Sequence, residues 1–180
     1  MAQFVASSPN VEVNGETVYA VVDGMGTFKS IALEILAENG IVDPKPGTWF
    51  PQQKWLDAFK KISDVLGPNT LFNIGFKIPK NAKFPAEIDT IERALQAIDV
   101  AYHMNHRNGD IGEYRYQSNG PKSAKMICPN PYPCAFDRGI ITAMAKRFKP
   151  KDSGMVNVKH DDSAPCRVKG GDSCTYIVTW

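Results

Sequence analysis

The chain has 180 residues, a length that fits one folded domain with its own hydrophobic core. Its hydrophobic fraction of 43% is ordinary, and its net charge of +2 is too small to indicate nucleic acid or an anionic membrane as a partner. No apolar run reaches the roughly 18 residues that span a bilayer, and residues 1–10 lack the features of a signal peptide. We therefore expect a cytoplasmic protein whose thiols stay reduced.

The N-terminal part predicts a hairpin followed by helices. Val11 to Val22 alternates apolar and polar residues around Asn14-Gly15, which predicts a hairpin arm over residues 1–23. Apolar residues at helical spacing then predict four helices within residues 24–109. These helices cover residues 28–40, 55–66, 71–78 and 85–102, and Pro85 opens the last of them.

Residues 110–180 predict a sheet with one more helix. Segments 113–117, 124–128, 155–160 and 175–180 have the composition of short strands, and apolar residues at helical spacing mark a helix over 136–148. The order of elements predicts an α+β fold in which the helices pack on one antiparallel sheet. We expect a single ligand-binding domain over residues 1–180, with residues 110–180 as its sheet and metal-binding part.

All four cysteines lie in the last third of the chain. Cys128 and Cys134 flank a loop stiffened by three prolines, and Cys166 and Cys174 flank a loop with two adjacent glycines. In a reducing compartment such a cluster favours a metal over disulfides, and two loops with two thiols each suit tetrahedral zinc. His160 is a competing fourth ligand. The alternative interpretation is simple burial of four small apolar side chains.

A second group of candidates lies at the end of the long helix. Tyr102, His103 and His106 are close in sequence there, and histidines three residues apart are neighbours on one helical face. They are suited to bind a polar ligand group or a heme iron, although cations at a helix C-terminus also suit the helix dipole. The other residues predicted to line an apolar pocket are Trp49, Trp55, Tyr114 and Tyr116.

The C-terminal half resembles a known domain. Cys134 at the head of an apolar helix, then a strand, then Cys166-x7-Cys174 running into Tyr176-Ile177-Val178, is similar to the 4-vinyl-reductase-type domain. That domain is shared with the sensory modules of phenol-responsive transcription activators. It belongs to the superfamily of heme nitric-oxide-binding domains and the small subunits of vesicle-tethering complexes. The resemblance implies an α+β ligand-binding fold, commonly a homodimer, that encloses a hydrophobic pocket.

The same resemblance implies a metal site. In the phenol sensors three cysteines and a glutamate hold zinc, and the matching cysteines here are Cys134, Cys166 and Cys174. The glutamate position holds Ser163 in this chain, so the fourth ligand must differ. The candidates for it are Cys128, which we favour, His160, Asp161 and Asp162.

Three functions follow as hypotheses. The first is a non-enzymatic sensor that binds a hydrophobic or aromatic small molecule beside a structural zinc and signals through a partner protein. The second is a heme protein for gas or redox sensing, in which His103, His106 or Cys128 binds the iron. The third is a tetrapyrrole-modifying enzyme, which we disfavour because the sequence has no nucleotide-binding glycine loop and no nucleophile–base set. We therefore predict no catalytic residue.

Overall fold

The structure is a computed structural model that describes residues 1–23, 25–81, 84–85 and 87–180. Its helices are α1 (Gly15–Asp23), α2 (Lys29–Glu38), α3 (Gln52–Leu66), α4 (Pro68–Asn81), α5 (Ile91–Met104) and α6 (Cys134–Phe148). Its strands are β1 (Glu12–Asn14), β2 (Trp49–Pro51), β3 (His106–Arg107), β4 (Arg115–Ser118), β5 (Ser123–Cys128), β6 (Asn157–His160) and β7 (Cys174–Thr179). The predicted α+β class is confirmed. Within the described ranges no helix combines the length and apolarity needed to cross a bilayer.

The strands form two antiparallel sheets, where the sequence predicted one. The smaller sheet has the order β2-β1-β3 and the larger has the order β4-β5-β7-β6. In the larger sheet Cys128 lies opposite Cys174, and His160 lies opposite Tyr176. The start of β7 is therefore flanked by the ends of β5 and β6, which brings the cysteine-rich loops to one end of the sheet.

The predicted N-terminal hairpin is wrong, because only β1 is a strand and α1 follows it directly. Asn14 Oδ1 accepts a hydrogen bond from the backbone N–H of Glu16 at 2.8 Å, so the asparagine caps a helix where a hairpin turn was expected. Val18, Val21 and Val22 are all buried, and their spacing of three and four residues suits a helix. β1 pairs instead with β2 and β3.

The helices predicted around residues 28–40, 55–66, 71–78 and 136–148 are confirmed as α2, α3, α4 and α6. The helix expected to open at Pro85 begins later, at Ile91. Thr90 caps it, since its hydroxyl accepts a hydrogen bond from the backbone N–H of Arg93 at 3.2 Å. Phe84, Pro85 and residues 87–90 have no regular secondary structure.

Helix α6 runs through the centre of the fold, and its residues from Gly139 to Ala145 are all buried. It packs against α4 at a crossing with a glycine on each side. A Cβ atom at Gly139 would overlap the carbonyl oxygen of Phe72, and one at Gly75 would overlap the carbonyl oxygen of Phe136. The two backbones are therefore in direct contact, which fixes the position of α6 and of Cys134 at its first turn.

Candidate metal centre and histidine cavity

Three thiols and one imidazole converge near the start of α6. Cys134, His160, Cys166 and Cys174 each offer one donor atom, and these four atoms all lie within 4.8 Å of one another. The Sγ–Sγ distance is 3.9 Å from Cys134 to Cys166, 3.8 Å from Cys174 to Cys166 and 3.1 Å from Cys134 to Cys174. A tetrahedral zinc with bonds of about 2.3 Å would hold its sulfurs about 3.8 Å apart. Two of the three distances already match that geometry.

Cys128, which we favoured as the fourth ligand, lies outside this group. It belongs to the fully buried face of β5, and burial raises the pKa of its thiol well above the usual value. His160 takes the fourth place in the cluster. Asp161 is engaged elsewhere, because its Oδ1 accepts a hydrogen bond from the hydroxyl of Ser163 at 2.6 Å.

The surroundings of His160 suit a metal-bound imidazole. Its Nδ1 lies 3.3 Å from Oδ1 of Asp162, and its buried Nε2 has no hydrogen-bond partner among the described residues. Leaving a buried polar atom unpaired costs about 1–3 kcal/mol, and a metal would remove this cost. A carboxylate on the other ring nitrogen is a common partner of metal-bound histidine. The unpaired nitrogen of His160 thus favours a cation site here, and this observation does not depend on the cysteines.

The charge distribution favours a thiolate at Cys174. The thiol of Cys134 and the guanidinium of Arg167 both lower the pKa of Cys174 well below its usual range. Arg167 approaches the sulfur with its backbone N–H at 3.4 Å and its Nε at 3.3 Å. Gln3 donates its amide to Cys134 Sγ at 2.9 Å. A thiolate is the metal-binding form of cysteine, so the Cys174 sulfur is suited to bind a cation.

Arg167 also connects the cluster to the protein interior. It forms a fully buried ion pair with Asp137 of α6, and Asp137 accepts a hydrogen bond from the hydroxyl of Tyr114 at 2.6 Å. A second guanidinium nitrogen donates to Oδ1 of Asn130 at 2.5 Å. The sequence assigned neither Asp137 nor Arg167 to a site, although the position of Arg167 directly after Cys166 was a usable signal.

A narrow cavity of about 50 Å³ lies on the other side of Tyr114. It is bounded by α3, α5, α6 and the loop before α6, and its wall is almost entirely apolar. The aromatic and polar residues of the wall include Thr17, Trp55, Tyr102, Asn105, His106, Tyr114, Tyr132 and Phe136. Phe84, in the irregular segment before α5, also lines it.

The structure divides the residues predicted for a pocket into two groups. Trp55, Tyr102, His106 and Tyr114 line the cavity. His103, Trp49 and Tyr116 do not belong to its wall. The side chain of His103 is half exposed, and Trp49 lies under the guanidinium of Arg107 with 4.2 Å between Cζ and the ring centroid. Tyr132 was not predicted, because its only signal was its place in the proline-rich loop between two cysteines.

His106 is held as a neutral imidazole with a defined tautomer. Burial lowers its pKa to about 4, so the ring is uncharged near pH 7. Its Nδ1 lies 2.8 Å from the carbonyl oxygen of Tyr102, which can only accept, so Nδ1 carries the proton. Its Nε2 therefore has the free lone pair and accepts a hydrogen bond from the hydroxyl of Tyr132 at 2.7 Å. An imidazole oriented in this way would bind a metal through Nε2 only after the Tyr132 hydroxyl leaves that nitrogen.

Comparison with solved structures identifies the fold. The chain is similar to an H-NOX protein from S. oneidensis, with a TM-score of 0.66, 14% identity, and coverage of 92% of this chain and 95% of that one. It is similar to an oxygen-binding H-NOX domain related to soluble guanylate cyclases, with a TM-score of 0.64, 16% identity, and coverage of 92% and 91%. It is also similar to a structure described as "Modulating Heme Redox Potential Through Protein-Induced Porphyrin Distortion". That match has a TM-score of 0.67 and 13% identity, and it covers 93% of this chain and 95% of that one. No family model matches the chain, and no curated protein matches it.

The chain therefore has the H-NOX fold over nearly its whole length. This confirms the fold expected for the superfamily of heme nitric-oxide-binding domains. The comparisons do not support the narrower resemblance to the 4-vinyl-reductase type.

Proposed function

We propose that the chain is a non-enzymatic sensor domain that binds heme in the cavity beside His106. The observation that carries the proposal is the imidazole itself, which is buried and neutral, with Nδ1 fixed by a backbone carbonyl and a lone pair on Nε2. The structural neighbours favour heme over a purely hydrophobic ligand, because one of them is described by its heme redox potential and another by its oxygen complex. His103 and Cys128 are not suited to the role, since neither lines the cavity.

The donor set fits heme, but the cavity must open to admit it. Ligand pockets for molecules of drug size usually measure about 300–1,000 Å³, whereas this cavity measures about 50 Å³. In addition, Tyr132 occupies Nε2 of His106. Heme binding therefore requires the Tyr132 hydroxyl to leave the imidazole and the apolar wall around Trp55 and Phe136 to move outward. Phe84, which lies outside the regular secondary structure, also lines the cavity.

Each wall residue then has a specific task. His106 would bind the iron through Nε2, and the carbonyl of Tyr102 would keep the ring in that orientation. Trp55 and Phe136 would exclude water from the apolar faces of the heme. Bound heme supplies an iron with an open coordination position for a diatomic gas.

Titration of the purified protein with hemin tests this proposal. We expect a Soret band that saturates at one heme per chain, because a single imidazole is positioned to bind iron. His106→Ala should weaken binding at least about tenfold, because it removes the imidazole that would hold the iron. His103→Ala is the matched control and should bind like wild type, because His103 is half exposed and outside the cavity wall.

Absence of a Soret band, or equal binding by the His106→Ala variant, would contradict heme binding. Such a result would favour the second candidate, a sensor for a small apolar molecule without heme. The observation favouring that candidate is the present closed cavity, in which the polar atoms of His106 and Tyr132 satisfy one another. Quenching of Trp55 fluorescence by indole-sized aromatic compounds would then detect ligand entry.

We also propose that Cys134, His160, Cys166 and Cys174 bind one structural zinc ion. The Sγ–Sγ distances and the unpartnered Nε2 of His160 support this ligand set. Four protein ligands leave no coordination position for water, which is typical of a structural and not a catalytic zinc. The zinc would fasten the start of α6 to β6 and β7.

A further inference from the structure

Helices α4 and α6 share an exposed face that carries only positive charge. The exposed charged residues on these two helices are Lys77, Lys80, Arg138, Lys146 and Arg147. Helix α4 contains no acidic residue, and the single acid of α6, Asp137, is buried in its ion pair with Arg167. This concentration contrasts with the nearly balanced chain, whose net charge is +2. We call these five residues the basic face.

The basic face has no acidic counterpart within the part of the chain that is described. None of its five cations forms an ion pair with a described residue. Glu87 lines a neighbouring groove together with Arg147, but the two residues form no ion pair. Unpaired charges of one sign on one surface attract an oppositely charged partner and accelerate its association.

Aromatic rings lie within the same face. Phe76 is 38% exposed, which is unusual for a large apolar side chain, and Lys146 Nζ lies 5.7 Å from the centroid of its ring. Arg138 covers the ring of Phe72 in the same manner, with 5.2 Å between Cζ and the centroid. The face therefore offers apolar surface between its cations.

Two grooves meet at Phe76 and Lys77. One, of about 600 Å³, is bordered by the cations Lys80, Lys146 and Arg147. The other, of about 320 Å³, is bordered by apolar and neutral residues that include Phe28, and Phe28 is 46% exposed. A ligand lying along both grooves would meet apolar surface at one end and positive charge at the other.

We propose that this surface is the docking site for an acidic amphipathic segment of a partner protein. Apolar side chains of the segment would occupy the groove between Phe28 and Phe76, and its carboxylates would meet Lys77, Lys80 and Lys146. This arrangement is the charge-complementary form of helix-in-groove recognition. A bilayer fits less well, because the rings of Phe72 and Phe76 lie beneath cations, whereas membrane binding uses apolar side chains that protrude. The proposal is independent of heme and zinc.

Fluorescence anisotropy with the full chain tests the proposal. The probe is a labelled helix-forming peptide with Leu at i, i+3, i+4 and i+7 and Glu at the flanking positions. We expect saturable binding that weakens roughly tenfold when NaCl is raised from about 50 mM to about 300 mM, because surface charges are screened. Lys77→Glu/Lys80→Glu/Lys146→Glu should weaken binding at least about tenfold.

Matched variants and probes separate this site from general charge effects. Lys45→Glu/Lys60→Glu/Lys61→Glu makes the same change in net charge on other exposed lysines and should bind like wild type. Phe76→Ala should weaken binding about threefold while the salt dependence is kept, since it removes apolar contact only. Circular dichroism of each variant verifies folding.

Three results would overturn the proposal. The first is unchanged affinity after charge reversal on the basic face. The second is equally tight binding of a scrambled peptide with the same composition. The third is preferential binding of phosphatidylcholine vesicles containing roughly a third phosphatidylserine, or of a short DNA duplex, which would assign the surface to a membrane or to nucleic acid.

Discussion

Substituting Cys166 by serine is expected to remove the zinc proposed for the cluster, together with much of the protein's thermal stability. Binding free energies of about 10–16 kcal/mol are measured for structural zinc in small peptides, and in such sites binding energy contributes directly to folding. Loss of one of four ligands should therefore lower zinc content from one per chain to a small fraction. Elemental analysis and thermal melting monitored by circular dichroism measure both effects on the same sample.

Cys128→Ala is the control for this experiment. It removes a cysteine from the same end of the sheet, but Cys128 lies outside the cluster, so full zinc content should be retained. The buried sulfur leaves a small cavity, for which we expect a loss of about 1 kcal/mol. His160→Ala should lower zinc affinity and Cys128→Ala should not. The reverse result would restore Cys128 as the fourth ligand.

The second large effect is expected at the crossing of α4 and α6. Gly139→Ala introduces a methyl group where the carbonyl oxygen of Phe72 lies, and backbone cannot rotate away as a side chain can. We expect a loss of about 3 kcal/mol, which lowers the melting temperature by roughly 6–12 °C in a chain of this size. The melting curve of the purified variant measures it.

Gly154→Ala is the matched control for this substitution. No atom lies within 4 Å of the position that its Cβ would occupy, so the melting temperature should stay within about 2 °C of wild type. A Gly139→Ala variant with the same melting temperature as the wild type would show that α4 and α6 separate easily, contrary to their direct backbone contact.

Local patterns predicted most helices and the four strands of the larger sheet, but they missed helix α1, strands β2 and β3 and the start of α5. The apolar residues of helices α3 and α6 recur every three or four positions, which does not fit the two-residue period of a strand. Both helices were therefore predictable. Asn14-Gly15 indicates a hairpin turn, but the same Asn is equally able to cap a helix. The contacts of β1 with β2 and β3 decide between these outcomes, and such long-range pairing is not encoded in local sequence.

The choice between His103 and His106 was available from the sequence. The buried residues Ile91, Leu95, Ile98 and Tyr102 recur every three or four positions, and the next step of that series is His106. His103 falls off this stripe and is half exposed. By contrast, the contact of Tyr132 with His106 joins residues 26 positions apart, and no local pattern predicts it.

The short turn before α6 joins the two candidate sites. Tyr132, whose hydroxyl binds His106, and Cys134, whose sulfur belongs to the cluster, are separated only by Pro133, and the proline ring fixes one backbone angle between them. A backbone movement at Cys134 is therefore passed on to Tyr132. Thermodynamic reciprocity then requires that, if metal occupancy changes ligand affinity in the cavity, ligand binding changes metal affinity by the same factor. Oxidation of the Cys134 thiol would therefore affect the imidazole of His106 through the segment from Cys134 to Tyr132.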